Sequence, residues 1–216
     1  FDGFLWRIMG INEDGSIRMI TEENVTAIPW GTNAQDYDNS YINDWLNNYF
    51  YSKLKDKDLL VNQTWCSEVT TDSNSRRTTC INNLSKVEKP IGLLSLDEYN
   101  LANSNSSYFI NSQIVWCLTP YDTDIAWRFS LNKNASNYGI ANAQGVRPVI
   151  NIQSNISTIS GTGTLQDPFV IEDRNITGNL NEHSLIGEYV IYAEKNYRVV
   201  ETSNQGTKLI LDGYYD

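Results

Sequence analysis

Histidine is nearly missing from this chain, proline is scarce and basic side chains are outnumbered. There is one His (His183), five Pro and three Cys, and 16 Lys and Arg stand against 26 Asp and Glu. A Ser–His–acid triad needs a histidine held against a nucleophile. The single His183 sits in a polar stretch, RNITGNLNEHSL, which argues against that chemistry. Zinc sites need clustered Cys and His at short spacing. The chain has no C-x-x-C and no His pair, so we expect no metal and no cofactor. A net charge of −10 and a pI near 4.5 argue against nucleic acid, which attracts clustered cations, and against docking on an anionic membrane. The densest basic feature is Arg76-Arg77, within a polar loop. No apolar run approaches the ~20 residues that cross a bilayer. A signal peptide and a nucleotide-binding Gly-rich loop are also missing, and Gly161-Thr162-Gly163 reads as a turn between β segments. The chain opens on Phe1 rather than Met, and is expected to be a piece of a longer protein.

What the chain does have is enough apolar side chain to build a core: 40% hydrophobic and 12% aromatic, with only 19% charged. Cys66 and Cys80 bracket SEVTTDSNSRRTT, a stretch with no core-forming residue. Tying its ends with a disulfide would contribute roughly 3 kcal/mol by restricting the unfolded chain, and would suit an oxidising compartment. The alternative is a pair of free buried thiols. Cys117, inside IVWCLTP, reads as a buried free thiol.

Periodicity supplies the elements. Residues 4–20 form a hairpin in which FLWRIMGI and SIRMI flank NEDG, with Gly15 free to take a positive φ. Residues 38–50 predict a helix: Ile42, Trp45, Leu46, Tyr49 and Phe50 recur at helical spacing, and Asp38, Asn39 or Ser40 offers an N-cap. A core face explains that stripe better than a ligand box. Residues 90–94 read as a short buried strand, and Ser95 caps a second helix over Leu96–Ala102 with Asp97 and Glu98 at its positive end. The continuous apolar IVWCLTP predicts a central strand, and the alternating IAWRFSL predicts its neighbour. NKNASNYG then reads as a turn and GVRPVINI as one more strand, placed at an edge or a bulge by Pro148. SGTGTLQDPFVIED adds a Gly-rich turn and a short closing strand.

Residues 174–185 read as a linker, after which GEYVIYA, NYRVVE and TKLILDG return to strand. Phe4-Leu5-Trp6-Arg7-Ile8 with Ile17–Ile20 is echoed by Asn196–Val200 with Lys208–Ile210, both aromatic–Arg–aliphatic hairpins. We therefore expect a surface module over 1–173, a linker over 174–185 and the start of a second β-rich module over 186–216. Two unrelated amphipathic hairpins are the alternative.

The strongest binding pattern is the polar hairpin after the apolar strand: Trp127, Asn132, Asn134, Asn137 and Tyr138. Asn amides beside an aromatic face suit sugar hydroxyls and ring stacking. The plainer reading, which we favour, places Trp127 and Phe129 in the core, with the Asn residues merely making the turn. The carboxylate pairs Asp97/Glu98 and Asp122/Asp124 carry no glycosidase motif, and read as a helix start and a loop. The N-x-S/T sequons follow from the Asn-rich composition.

In order, LWRIMGINEDGSIRMI, INDWLNNYFY, WC with a later Cys, GLLSLDEYNLA, VWCLTPY, GVRPVINI and SGTGTLQDPFVI resemble a module of Firmicutes surface proteins. That module is classed as a domain of unknown function, the DUF6273 type, and the likeness spans roughly residues 1–172. The resemblance implies an extracellular setting, often behind a pilin-like helix or another export anchor, and no defined activity. The element order is also similar to the C-type-lectin and formylglycine-generating-enzyme architecture, chiefly through GVRPV. The functional motifs of those proteins are not matched: Ile42-Asn43-Asp44-Trp45 has the wrong order for a calcium lectin strand, and a late cysteine pair is missing.

The expected fold is α+β, β-rich with two short helices and lectin-like in element order, followed by a small partial β module. The expected role is an extracellular, non-catalytic interaction or structural module of a bacterial surface or pilin-like protein. Its partner would be a protein, copies of itself in a surface assembly, or a glycan, without nucleic acid or membrane insertion by this segment. A lectin-like adhesin module is the alternative. An enzyme, or a hypervariable display domain with its diversity in the Asn-rich hairpin, is a remoter one.

Overall fold

The computed structural model describes residues 1–67, 69–71, 78–81, 86–104, 113–129, 134–154, 156, 158–171, 186–187, 189–192, 195–203 and 206–211. The fold is α+β and β-rich, with two short helices. Two sheets carry the core. One has four antiparallel strands in the order Trp6–Ile11, Ile17–Thr21, Val149–Ile152, Ile91–Gly92. The other has five, in the order Ala135–Gly139, Ile125–Phe129, Val115–Asp122, Gln144–Val146, Thr26–Ile28. Val115–Asp122 is central there, and its apolar Val115, Trp116, Cys117 and Leu118 are all buried, as a continuous run requires.

GVRPVINI is not one strand. It divides into Gln144–Val146 in the five-stranded sheet and Val149–Ile152 in the four-stranded sheet, and Arg147-Pro148 is the crossing between them. The reason is local. Proline has no N–H to give a ladder and fixes its own φ, so pairing stops there and restarts against a different partner. Pro148 still accepts from the Thr21 N–H at 3.2 Å through its carbonyl. The expected polar turn at 132–139 is shorter than its sequence suggests, because Ala135–Gly139 pairs with Ile125–Phe129.

The first helix is capped by Ser40, whose hydroxyl accepts from the Asn43 N–H at 3.0 Å. It runs through Tyr41–Asp44, a π-helical Trp45–Phe50 and Tyr51–Lys53. Ile42, Leu46 and Phe50 face inward, while Tyr49 turns outward. The π-helical turn is wider than an α turn, so a spacing of four stays in line and a spacing of seven does not. The second helix, Leu96–Ser104, begins with a reciprocal cap: the Glu98 N–H donates to Ser95 Oγ, and the Ser95 N–H donates back to Glu98 Oε2 at 3.0 Å.

Trp30, Trp65 and Trp116 are all buried in the core. Trp116 Nε1 donates to the Ile28 carbonyl at 2.9 Å, and Trp30 Nε1 donates to the Cys117 carbonyl at 3.0 Å. Trp30 and Tyr37 are fully buried although they stand in a polar stretch without periodicity.

Cys66 and Cys80 form a disulfide, with Cα atoms 6.0 Å apart. It joins the strand end at buried Trp65 to the hairpin Val69–Thr71 and Thr78–Cys80. A separate three-stranded sheet, Tyr189–Tyr192, Lys195–Ser203 and Gly206–Leu211, follows. It meets the rest through an Arg198–Glu23 ion pair at 2.8 Å, and Gly187 lies beside the Val25 carbonyl. Residues 174–185, expected as a linker, lie outside the described residues, as does His183.

Candidate functional site

The Asn-rich hairpin is built on the central strand. Ile125–Phe129 pairs with Ala135–Gly139 in regular antiparallel register, with Trp127 opposite Asn137 and Ala126 opposite Tyr138. Directly opposed residues project to the same face, and neighbours along a strand project to opposite faces. Trp127 and Asn137 therefore share one face, and Tyr138 lies on the other. Asn134 is exposed just before the return strand, and Asn132 falls outside the described residues.

The two faces differ in chemistry. On the first, Trp127 is half-buried against the core and meets Tyr121 edge to face at 5.3 Å. Tyr121 is 54% exposed and Asn137 is exposed, so an aromatic edge and a free amide stand side by side. On the second, the Arg128 guanidinium lies 3.8 Å from the Tyr138 ring centroid. Arg128 is fixed by Gln144 Oε1 at 2.8 Å and Ser136 Oγ at 3.3 Å. The sequence predicted this as one cluster; the register turns it into two surfaces. Phe129, on the Trp127 face, is buried in the core, but each face carries an exposed ring, Tyr121 on one and Tyr138 on the other, that can stack on a flat ligand.

A second constellation escaped sequence reasoning. Arg18, Glu98, Trp65, Asn12 and Ser95 line a small recess with a cavity volume of about 30 Å³, enough for ordered water. Arg18 Nε donates to Glu98 Oε1 at 2.8 Å, and its guanidinium lies 4.9 Å from the Trp65 ring centroid. The other Glu98 oxygen is taken by the N–H and hydroxyl of Ser95. The Glu98 carboxylate is thus committed to a cation and a helix cap, which suits positioning rather than proton transfer. Ser95, Glu98 and Arg18 each stand out in the sequence, but nothing local brings Arg18 to Glu98, 80 residues away.

Among the described residues, no three His, Cys, Asp or Glu side chains converge to hold a metal ion. Cys117 is fully buried, and burial pushes its thiol up to about 12. A thiol so shifted carries almost no thiolate at neutral pH, and is a core residue rather than a nucleophile.

No family, curated protein or solved structure matches this chain.

Proposed function

We propose that the chain is an extracellular, non-catalytic interaction or structural module of a bacterial surface or pilin-like protein. The Cys66–Cys80 disulfide carries this reading. Disulfides persist in oxidising compartments, and this one fastens an otherwise coreless polar hairpin to the buried Trp65–Cys66 corner. The acidic charge and the resemblance to Firmicutes surface modules support the same setting. The partner is a protein or further copies of the module.

The test is differential alkylation of natively exported protein under denaturing conditions. One alkylated cysteine (Cys117) before reduction and three after it are expected. Three before reduction would sink the reading, because the staple would then not form where the protein works. Protease shaving of intact cells should release peptides of this chain.

A second reading, a lectin-like carbohydrate-binding module, is favoured by Tyr121, Trp127 and Asn137 standing together on one open face. A glycan array, run with calcium and with chelator, separates the two. Saturable binding that Asn137→Ala and Tyr121→Ala abolish, with melting temperature unchanged, would establish the lectin. Binding lost on Asn134→Ala or Tyr138→Ala instead would place it on the opposite side of the hairpin. A blank array leaves a protein partner.

A further inference from the structure

The two aromatic–Arg–aliphatic hairpins are alike in register as well as in sequence. In the first, Trp6, Arg7 and Ile8 pair with Thr21, Ile20 and Met19; Met9 is bulged out, and pairing resumes at Gly10 with Arg18. In the second, Tyr197, Arg198 and Val199 pair with Leu211, Ile210 and Leu209; Val200 is bulged out, and pairing resumes at Glu201 with Lys208. The bulge falls on the second residue after the arginine in both. The two arginines also reach adjacent acids, Arg7 to Glu22 and Arg198 to Glu23.

The hairpins differ in what lies beyond them. Val149–Ile152 lies against Ile17–Thr21, with Val149 opposite Ile20 and Ile150 opposite Met19. Gly206–Leu211 is the outermost strand of its sheet, with no described strand on its far side. Burial follows. Ile20 is 1% exposed, and its counterpart Ile210 is 56% exposed. The bulged Met9 is 7% exposed, and the bulged Val200 is 39% exposed. An open edge bearing apolar side chains is a template for another strand.

We propose that Gly206–Leu211 is an acceptor edge for an antiparallel strand with the pattern of Val149–Ile152, apolar at its first, second and fourth positions and polar at its third, supplied by an extended, unpaired segment of a partner protein, since Val149–Ile152 itself is buried and paired on both sides in the folded module. The register follows from the first hairpin: the donor's first two apolar residues lie opposite Ile210 and Leu209, and its polar residue opposite Lys208. The direction of the hydrogen bonds also follows. The Thr21 N–H donates across to Pro148, so Thr21 and Met19 turn their N–H groups toward the third strand. Leu211 and Leu209 hold the equivalent positions and turn theirs toward the open edge.

The experiment titrates the intact chain into a labelled peptide of residues 146–153, VRPVINIQ, and follows anisotropy and amide exchange. Saturable binding is expected, with exchange slowed severalfold at Gly206–Leu211 and with a shuffled peptide at least tenfold weaker. Leu209→Pro removes the outward donor and should abolish binding. Ile210→Lys, which alters only an exposed side chain, should weaken binding several-fold and covers the case in which the proline variant loses its sheet. No saturation, protection placed elsewhere, or equal binding of the shuffled peptide would overturn the proposal. Those outcomes leave the extracellular reading standing, because alkylation and shaving test it separately.

Discussion

At the scale of single residues, the core is decided by close approaches that leave no room for an added atom. A Cβ at Gly92 would lie 2.2 Å from Trp65 ring carbons, inside contact distance, and that indole is held by its Nε1 donating to the Lys89 carbonyl at 2.9 Å. Gly92→Ala must therefore displace a pinned tryptophan. We expect a loss of about 1–3 kcal/mol in denaturant unfolding, the usual cost of overpacking. A loss below about 0.5 kcal/mol would mean the ring moves freely. Cys117 gives a pH signature. Burial raises its thiol pKa in the folded state, so the unfolded chain ionises first as pH rises. Its contribution is intact below the unfolded value and falls away as pH climbs toward 12, by roughly 1.4 kcal/mol per pH unit. Cys117→Ala should lack this slope, and the difference between the two pH–stability curves above pH ~9 measures it. In the native wild type, the thiol should resist a disulfide reagent at pH 8 and react only on unfolding.

At the scale of elements, the first helix does more than bury a stripe. Ile91–Gly92 is an edge strand, and edges leave backbone groups unpaired. Asn47 closes this one from the helix side: its Nδ2 donates to the Ile91 carbonyl at 2.9 Å, and its Oδ1 accepts from the Ile91 N–H at 3.2 Å. The amide copies the pairing of a neighbouring strand. Asn47→Ala strands the Ile91 N–H, a loss worth about 1–3 kcal/mol, while the Ile91 carbonyl keeps the Tyr37 hydroxyl at 3.4 Å. We expect a loss of about 1–3 kcal/mol in chemical denaturation. Asn47→Asp should also lose stability, because a carboxylate cannot donate to the Ile91 carbonyl. A neutral alanine variant would show that water replaces the amide.

At the scale of the whole molecule, the hydrophobic core cluster draws on both larger sheets and both helices, from Phe1 to Ile171. The three-stranded sheet joins by smaller contacts: the partly exposed Arg198–Glu23 pair, which is worth at most about 1 kcal/mol, and the packing around buried Val199. Opening free energies should follow this gradient. Amide exchange is expected to be slowest at Val149–Ile152 and Val115–Leu118, and to be faster by at least an order of magnitude at Gly206–Leu211. Equal protection across all three strands would mean that the sheets open as one unit.

The sequence by itself determined the elements that a single local pattern specifies. The hairpin over 4–20, the Ser95 cap with Glu98, the buried IVWCLTP strand and the Cys66–Cys80 staple are each encoded by neighbours in the chain: alternation, a capping pair, an apolar run, a coreless loop between two thiols. Tertiary structure decided what needs partners distant in sequence. Trp30 and Tyr37 show no period; their rings pack into the core, where the Cys117 and Ile91 carbonyls meet their polar atoms. GVRPVINI reads as one strand until two sheets claim its halves on either side of Pro148. The predicted hairpin site was legible in composition and illegible in geometry, since the register alone sends Trp127 and Asn137 to one face and Tyr138 to the other. Side-chain direction in a strand alternates residue by residue, so the cross-strand register decides which residues can meet.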